Sequence, residues 1–200
     1  MVQYQQLPHG MRQDTVYPND EGGMALLRLF FAQDVDAHAL LRRSAGLVWG
    51  MDALPDLDRA PKGKPFFHSM PQCRFNLSHS GPFALCALSD DEVGADIEVI
   101  RPRRSFLPQK VLSEAEFAWF RDRGSRWQDF YTLWTLKEAR VKYTGTGLTL
   151  PARDIAVPLL DPGQHARLDG LTFTAYADEG WRAALCAGEA GPLIECIGDS

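Results

Sequence analysis

Val93-Gly94-Ala95-Asp96-Ile97-Glu98 alternates between apolar and acidic side chains, and Val99 continues the pattern. In an extended strand side chains repeat every second residue, so Val93, Ala95, Ile97 and Val99 share one face. Asp96 and Glu98 project together from the other, roughly 7 Å apart at Cα. With their tips about 5 Å apart and an effective dielectric near 20, they repel by about 3 kcal/mol. If that face is buried, a cation must accompany it. The run Arg101, Arg103, Arg104 could supply ordinary ion pairs, which are the commoner arrangement. A hard divalent cation such as Mg²⁺, held by carboxylates and substrate phosphates, is the alternative.

Around this strand lies a chain of 200 residues, 45% hydrophobic and 24% charged, which suits one domain or a tight pair of lobes. Its net charge of −5 argues against nucleic-acid binding, which favours basic domains. Cys73, Cys86, Cys186 and Cys196 have neither C-x-x-C nor zinc spacing, and read as small core residues in a reducing compartment. With no signal-like start and no apolar run near the ~18 residues of a membrane span, the expected location is cytoplasmic, without membrane contact. A monomer is the expected state.

Residues 1–23 are polar and turn-rich, with no clear period. Met24 to Phe31 predicts a strand. Asp34 is the expected N-cap of a helix reaching about Trp49 and carrying Arg42 and Arg43. After a proline-broken stretch containing Lys62-Gly63-Lys64-Pro65, strands are predicted at 73–77, 83–88 and 93–100. Ser89-Asp90-Asp91-Glu92 should turn the last two into a hairpin. Ser113-x-x-Glu116 is a capping-box pattern opening a helix to about Arg123. Gly124 separates it from a longer helix, about 126–143, which Gly145 ends. Short strands are predicted at 155–157, 171–177 and 183–187. Ala84-Leu-Cys-Ala87 recurs as Ala184-Leu-Cys-Ala187, a hint of a duplicated helix-plus-sheet unit.

On the 126–143 helix, Trp127, Phe130, Tyr131, Trp134 and Val141 form one stripe, with Glu138 on its shoulder and Lys142 one turn further. A Glu–Lys pair at this spacing is usually a solvated salt bridge. The neighbouring aromatics, however, predict a partly desolvated carboxylate that needs a positive partner. The predicted loop Asn76-Leu77-Ser78-His79-Ser80-Gly81 gathers hydroxyls, an imidazole and a glycine. These could grip phosphate oxygens or merely cap a turn. Lys64, between Gly63 and Pro65, is a rigidly presented cation.

Phe75-Asn-Leu-Ser-His-Ser80, Val93-Gly-Ala-Asp-Ile-Glu98 and Trp134-Thr-Leu-Lys-Glu-Ala139 with Lys142 together resemble the signature of the Sfp-type 4′-phosphopantetheinyl transferases. Gly63-Lys-Pro65, Leu112-Ser-x-x-Glu116-Phe117 and Gly147-Leu-Thr-Leu-Pro151 match in the same order. Ile100-Arg-Pro-Arg103 is similar to the holo-acyl-carrier-protein synthase branch. The resemblance implies an α+β fold of two similar halves, 1–102 and 103–200, with antiparallel sheets, packed helices and the site between the halves. It implies transfer of phosphopantetheine from coenzyme A to a serine of an apo acyl or peptidyl carrier protein, releasing adenosine 3′,5′-bisphosphate. Asp96, Glu98 and Glu138 would ligate Mg²⁺ or Mn²⁺, and Glu138 would also deprotonate the carrier serine. His79 and Lys142 would hold the pyrophosphate and Ser78 the 3′-phosphate, with Lys64 nearby and Glu116 in support. Ala39 stands where the family usually has an arginine, so Arg42 or Arg43 is the expected substitute. Thr146 stands for a common lysine. The alternatives are a metal-dependent phosphohydrolase acting on a nucleotide-like or coenzyme A-like pyrophosphate, and a non-catalytic binding module.

Overall fold

A computed structural model describes the backbone of residues 12–18 and 24–188, with side chains from residue 26 onward. Two four-stranded antiparallel sheets lie face to face. The first has the order β1-β2-β6-β5, with β1 Arg12–Pro18, β2 Met24–Gln33, β5 Arg74–Ser80 and β6 Phe83–Ser89. The second has the order β7-β10-β9-β8, with β7 Val93–Val99, β8 His165–Leu168, β9 Leu171–Ala177 and β10 Trp181–Gly188. A small hairpin, β3 Leu57–Arg59 and β4 Pro65–Phe67, occupies the proline-broken stretch.

Alternation along the strands builds three cores. Leu27, Leu29, Phe31, Leu85 and Ala87 of the first sheet meet Val93, Ala95, Ile97, Ala183 and Leu185 of the second. The outer face of the first sheet, with Phe30, Phe75, Cys86 and Leu88, is covered by Leu40 and Leu41 of helix α1 (Ala37–Trp49). The outer face of the second, with Phe173, Ala175, Ala184 and Cys186, is covered by Leu133, Leu136 and Ala139 of α4 (Trp127–Thr144). The layers therefore run helix, sheet, sheet, helix, an α+β fold as expected. The two Ala-Leu-Cys-Ala stretches lie in β6 and β10, each an interior strand beneath a helix.

Several local expectations change. The helix N-cap is Asp36, whose Oδ1 accepts from the backbone N–H of His38 and Ala39; Asp34 adopts φ 58° in the turn before it. The hairpin expected between β6 and β7 does not form. β6 already has β2 and β5 on its two edges, so the chain leaves the first sheet and β7 pairs with β10 instead. β7, from the part of the sequence assigned to the first half, thus belongs to the sheet of the second. Residues 155–157 are not a strand: they follow a 3-10 turn (Ala152–Asp154), with Ile155 buried and Val157 packed in the core shared with α4. A short helix, α2 (Leu107–Val111), was not expected, nor were β1 and β8. The capping box is present: Ser113 Oγ accepts from Glu116 N–H and Glu116 Oε2 from Ser113 N–H, opening α3 (Glu114–Asp122). Cys73, Cys86 and Cys186 are buried free thiols, and Cys196 lies outside the described residues. Among the described residues no helix is long and apolar enough to cross a membrane.

Candidate active site

The free edge of β7 is closed by side chains rather than by a strand. The Asn76-x-Ser78-x-Ser80 pattern lies on β5, not in a loop, and its period of two matches that of the N–H groups of β7 that point away from β10. Asn76 Oδ1 accepts from Ala95 N–H at 2.9 Å, Ser78 Oγ from Ile97 N–H at 3.2 Å and Ser80 Oγ from Val99 N–H at 3.1 Å. Buried backbone donors must find acceptors, and these three side chains satisfy them while joining the two sheets. The same two hydroxyls donate to the acids: Ser78 to Asp96 Oδ1 and Ser80 to Glu98 Oε2, each at 2.8 Å.

The acid-bearing face of β7 looks at α4. Gly94 lets them approach, because a Cβ there would collide with the backbone of Ala139 and Tyr143. Immediately before each of these two residues α4 carries an ionisable side chain, Glu138 and Lys142. The Lys142 ammonium donates to Asp96 Oδ1 at 2.7 Å and to Ser78 Oγ at 2.8 Å. The cation demanded by the paired acids is thus a lysine from α4. Of the arginines after the strand, Arg103 has another partner: its Nε donates to the Tyr131 hydroxyl, which itself donates to the Arg101 carbonyl.

Acids from distant parts of the chain converge here and feel one another's charge. Burial pushes the Glu138 carboxyl up to about 7; Asp96 and Glu98 add to the rise and Lys142 opposes it. Burial also raises Asp96, against the pull of Lys142 and Ser78. Asp96 Oδ2 is buried with no hydrogen-bond partner. Among the described residues no three histidine, cysteine or acidic side chains form a ready chelate.

The remaining expected residues are placed differently. Ser78 has its one donor and both lone pairs in use, on Asp96, Ile97 and Lys142. His79 alternates to the other face of β5, exposed toward the start of α1, where its charge is felt by Asp36. Arg42 and Arg43 are exposed on α1, across the first sheet from the acids. Lys64 stands at the opposite end of β7 from Glu98, donating to Glu92 Oε2 at 2.7 Å and to the carbonyls of Val93 and Tyr143 at 3.2 Å.

Two features were not read from the sequence. Lys137, beside Glu138, is wholly buried, with Nζ 2.8 Å from Glu116 Oε1 and 2.7 Å from the Ile155 carbonyl. Both Glu116 oxygens are therefore committed, one to the helix cap and one to α4. Changing Lys137 to methionine strands a buried carboxylate. We expect a loss of about 3–5 kcal/mol in urea unfolding, and a loss below about 1 would show that the pair is incidental. The second is a cavity of about 560 Å³ bordered by Glu98, with an apolar floor of Phe130 and Trp134 and a rim of Arg103, Arg104 and Lys110. Lys110 lies over the Phe106 ring at 4.8 Å.

This geometry, two acids of a strand facing an acid and a lysine of a long helix, accompanies a clear likeness in sequence. The profile of the 4′-phosphopantetheinyl transferase superfamily matches residues 92–186. A 4′-phosphopantetheinyl transferase of Bacillus subtilis is 32% identical over 176 residues, 80% of this chain and 78% of the relative. The chain belongs to that superfamily and is an enzyme of that class. The transferase Sfp of Bacillus subtilis strain 168 is 32% identical over 133 residues, 62% of this chain and 59% of the relative. The transferase AcpT of Salmonella typhimurium is 42% identical over 129 residues, 62% of this chain and 67% of the relative.

Proposed function

We propose that this enzyme transfers the phosphopantetheine group of coenzyme A to a serine of an apo acyl or peptidyl carrier protein, with adenosine 3′,5′-bisphosphate as the second product. The observation that carries the reading is the meeting of Asp96 and Glu98 with Glu138 and Lys142 in a member of this superfamily. The donor set of three carboxylates, one with a buried oxygen that has no partner, suits a hard divalent ion. Asp96, Glu98 and Glu138 would hold Mg²⁺ or Mn²⁺. When bound, the ion neutralises charge on the pyrophosphate oxygens.

The chain's own groups account for the rest. Lys142 binds a phosphate oxygen and stabilises the departing bisphosphate. Glu138, a base whose carboxyl is raised toward neutrality, takes the serine proton as the serine oxygen bonds to phosphorus and the pyrophosphate P–O bond breaks. His79, with Arg42 and Arg43 on the same outer side, is left for the nucleotide end of coenzyme A, reached around the β5 edge. Ser78 serves by holding Asp96 and Lys142 in place. The cavity beside Glu98 is where the carrier docks: carrier helices are acidic and amphipathic, matching a cationic rim over an apolar floor.

The test is incubation of the enzyme with coenzyme A, Mg²⁺ and a small panel of apo carriers, followed by mass spectrometry. A gain of one phosphopantetheine on the carrier supports the reading. Release of free phosphopantetheine without any carrier would replace it with a hydrolase. Reversing Arg103, Arg104 and Lys110 to glutamate together should raise KM for the carrier at least about tenfold and leave KM for coenzyme A nearly unchanged. An unchanged carrier KM would move the docking surface elsewhere.

A further inference from the structure

The contact between Lys142 and Asp96 has a consequence for metal binding. The ammonium is held by two partners, Asp96 Oδ1 at 2.7 Å and Ser78 Oγ at 2.8 Å, and its side chain is 27% exposed. Asp96 is only 7% exposed, and its other oxygen has no partner. A divalent ion taken by Asp96 therefore arrives within a carboxylate's width of a fixed positive charge. Asp96 is nearly buried, so their repulsion is screened less than at the surface. The lysine has somewhere to go. Its four-carbon stem is flexible and its side chain is partly exposed, so the ammonium can turn outward.

We propose that Lys142 is a tethered counter-ion that competes with the divalent cation for Asp96. The inference rests on the metal-site reading above. An ion entering the site expels the ammonium from Asp96 and frees it for a substrate phosphate. By linkage, a phosphate that captures the ammonium favours the ion equally. Lys142 thereby opposes metal binding until substrate is present.

The test is calorimetric titration of the whole enzyme with Mn²⁺ alone, without coenzyme A or carrier, for the wild type, Lys142→Met and Lys142→Gln. Glutamine keeps a hydrogen-bond donor for Asp96 without the charge, so it covers the case in which methionine prevents folding. Both neutral variants should bind Mn²⁺ at least tenfold more tightly than the wild type. Mn²⁺ should also raise their melting temperature by more than it raises that of the wild type. Equal or weaker binding by the folded variants overturns the proposal. That failure is distinct from failure of the transferase reading, which shows as unlabelled carrier with the wild-type enzyme.

Discussion

Glu138→Gln is expected to lower kcat for carrier modification by about a thousandfold, in the middle of the range for loss of a positioned general base. KM for the carrier should change little, because Glu138 lies beyond the cationic rim proposed to dock it. Glutamine also removes one of the three proposed acidic donors, so the variant should need more Mg²⁺, and saturating Mg²⁺ should still not restore the rate because the base is absent. The same substitution has a second, opposite effect on stability. The Glu138 carboxyl is raised from its ordinary 4.5 to about 7, by burial first and by the neighbouring Asp96 next. A carboxyl raised in the folded state contributes stability that is fully present below the ordinary value. That contribution is lost as pH rises through the folded value. Without divalent ions, wild type should therefore lose ground to Glu138→Gln between pH 5 and pH 8, and the variant should melt higher at pH 8. Parallel melting curves across that interval would mean that Glu138 is not desolvated. Full activity would remove it from the chemistry.

Gly94→Ala is expected to be the most damaging small substitution in the chain. The added methyl meets the Ala139 carbonyl and the Tyr143 backbone, with Tyr143 Cα at 2.9 Å. None of these is the movable end of a side chain, so β7 and α4 must separate. Overpacking costs about 1–3 kcal/mol where neighbours can give, and a collision with two helical peptide units should reach or exceed the top of that range. The readouts are a lowered urea midpoint and a loss of transfer greater than the stability change explains, because separation draws Asp96 and Glu98 away from Glu138 and Lys142. Gly180→Ala, which meets nothing within 4 Å, is the control and should be nearly silent. An equally silent Gly94→Ala would show that the strand and helix can slide without cost.

What could be read in advance followed from short-range periodicity. Alternation placed Asp96 and Glu98 on one face of a strand, and the burial of Val93, Ala95 and Ile97 on the other agrees. The 100° helical period put Glu138 and Lys142 one turn apart on one helix, and both fall within α4. The capping box marked the start of α3 to the residue. The misreadings came where two local signals competed. Asn76, Ser78 and Ser80 looked like loop residues because polar side chains are usual in turns. Their period of two was the overlooked sign of a strand whose side chains bond a neighbour.

The amino-acid sequence by itself determined the acid-bearing strand, the helices α1, α3 and α4, which of their side chains share a face and which superfamily the chain belongs to, because these depend on neighbours a few residues away and on motif order. Only the tertiary structure decided that β7 abandons β6 for β10, since edge availability depends on how many partners β6 already has. Only it decided that the counter-charge of Asp96 is Lys142 rather than an arginine five to eight residues on, and that Lys137, next to Glu138, is spent on Glu116. Charge pairing in a buried site is set by distance through space. Distance through space is fixed by packing, here by a single missing Cβ at Gly94.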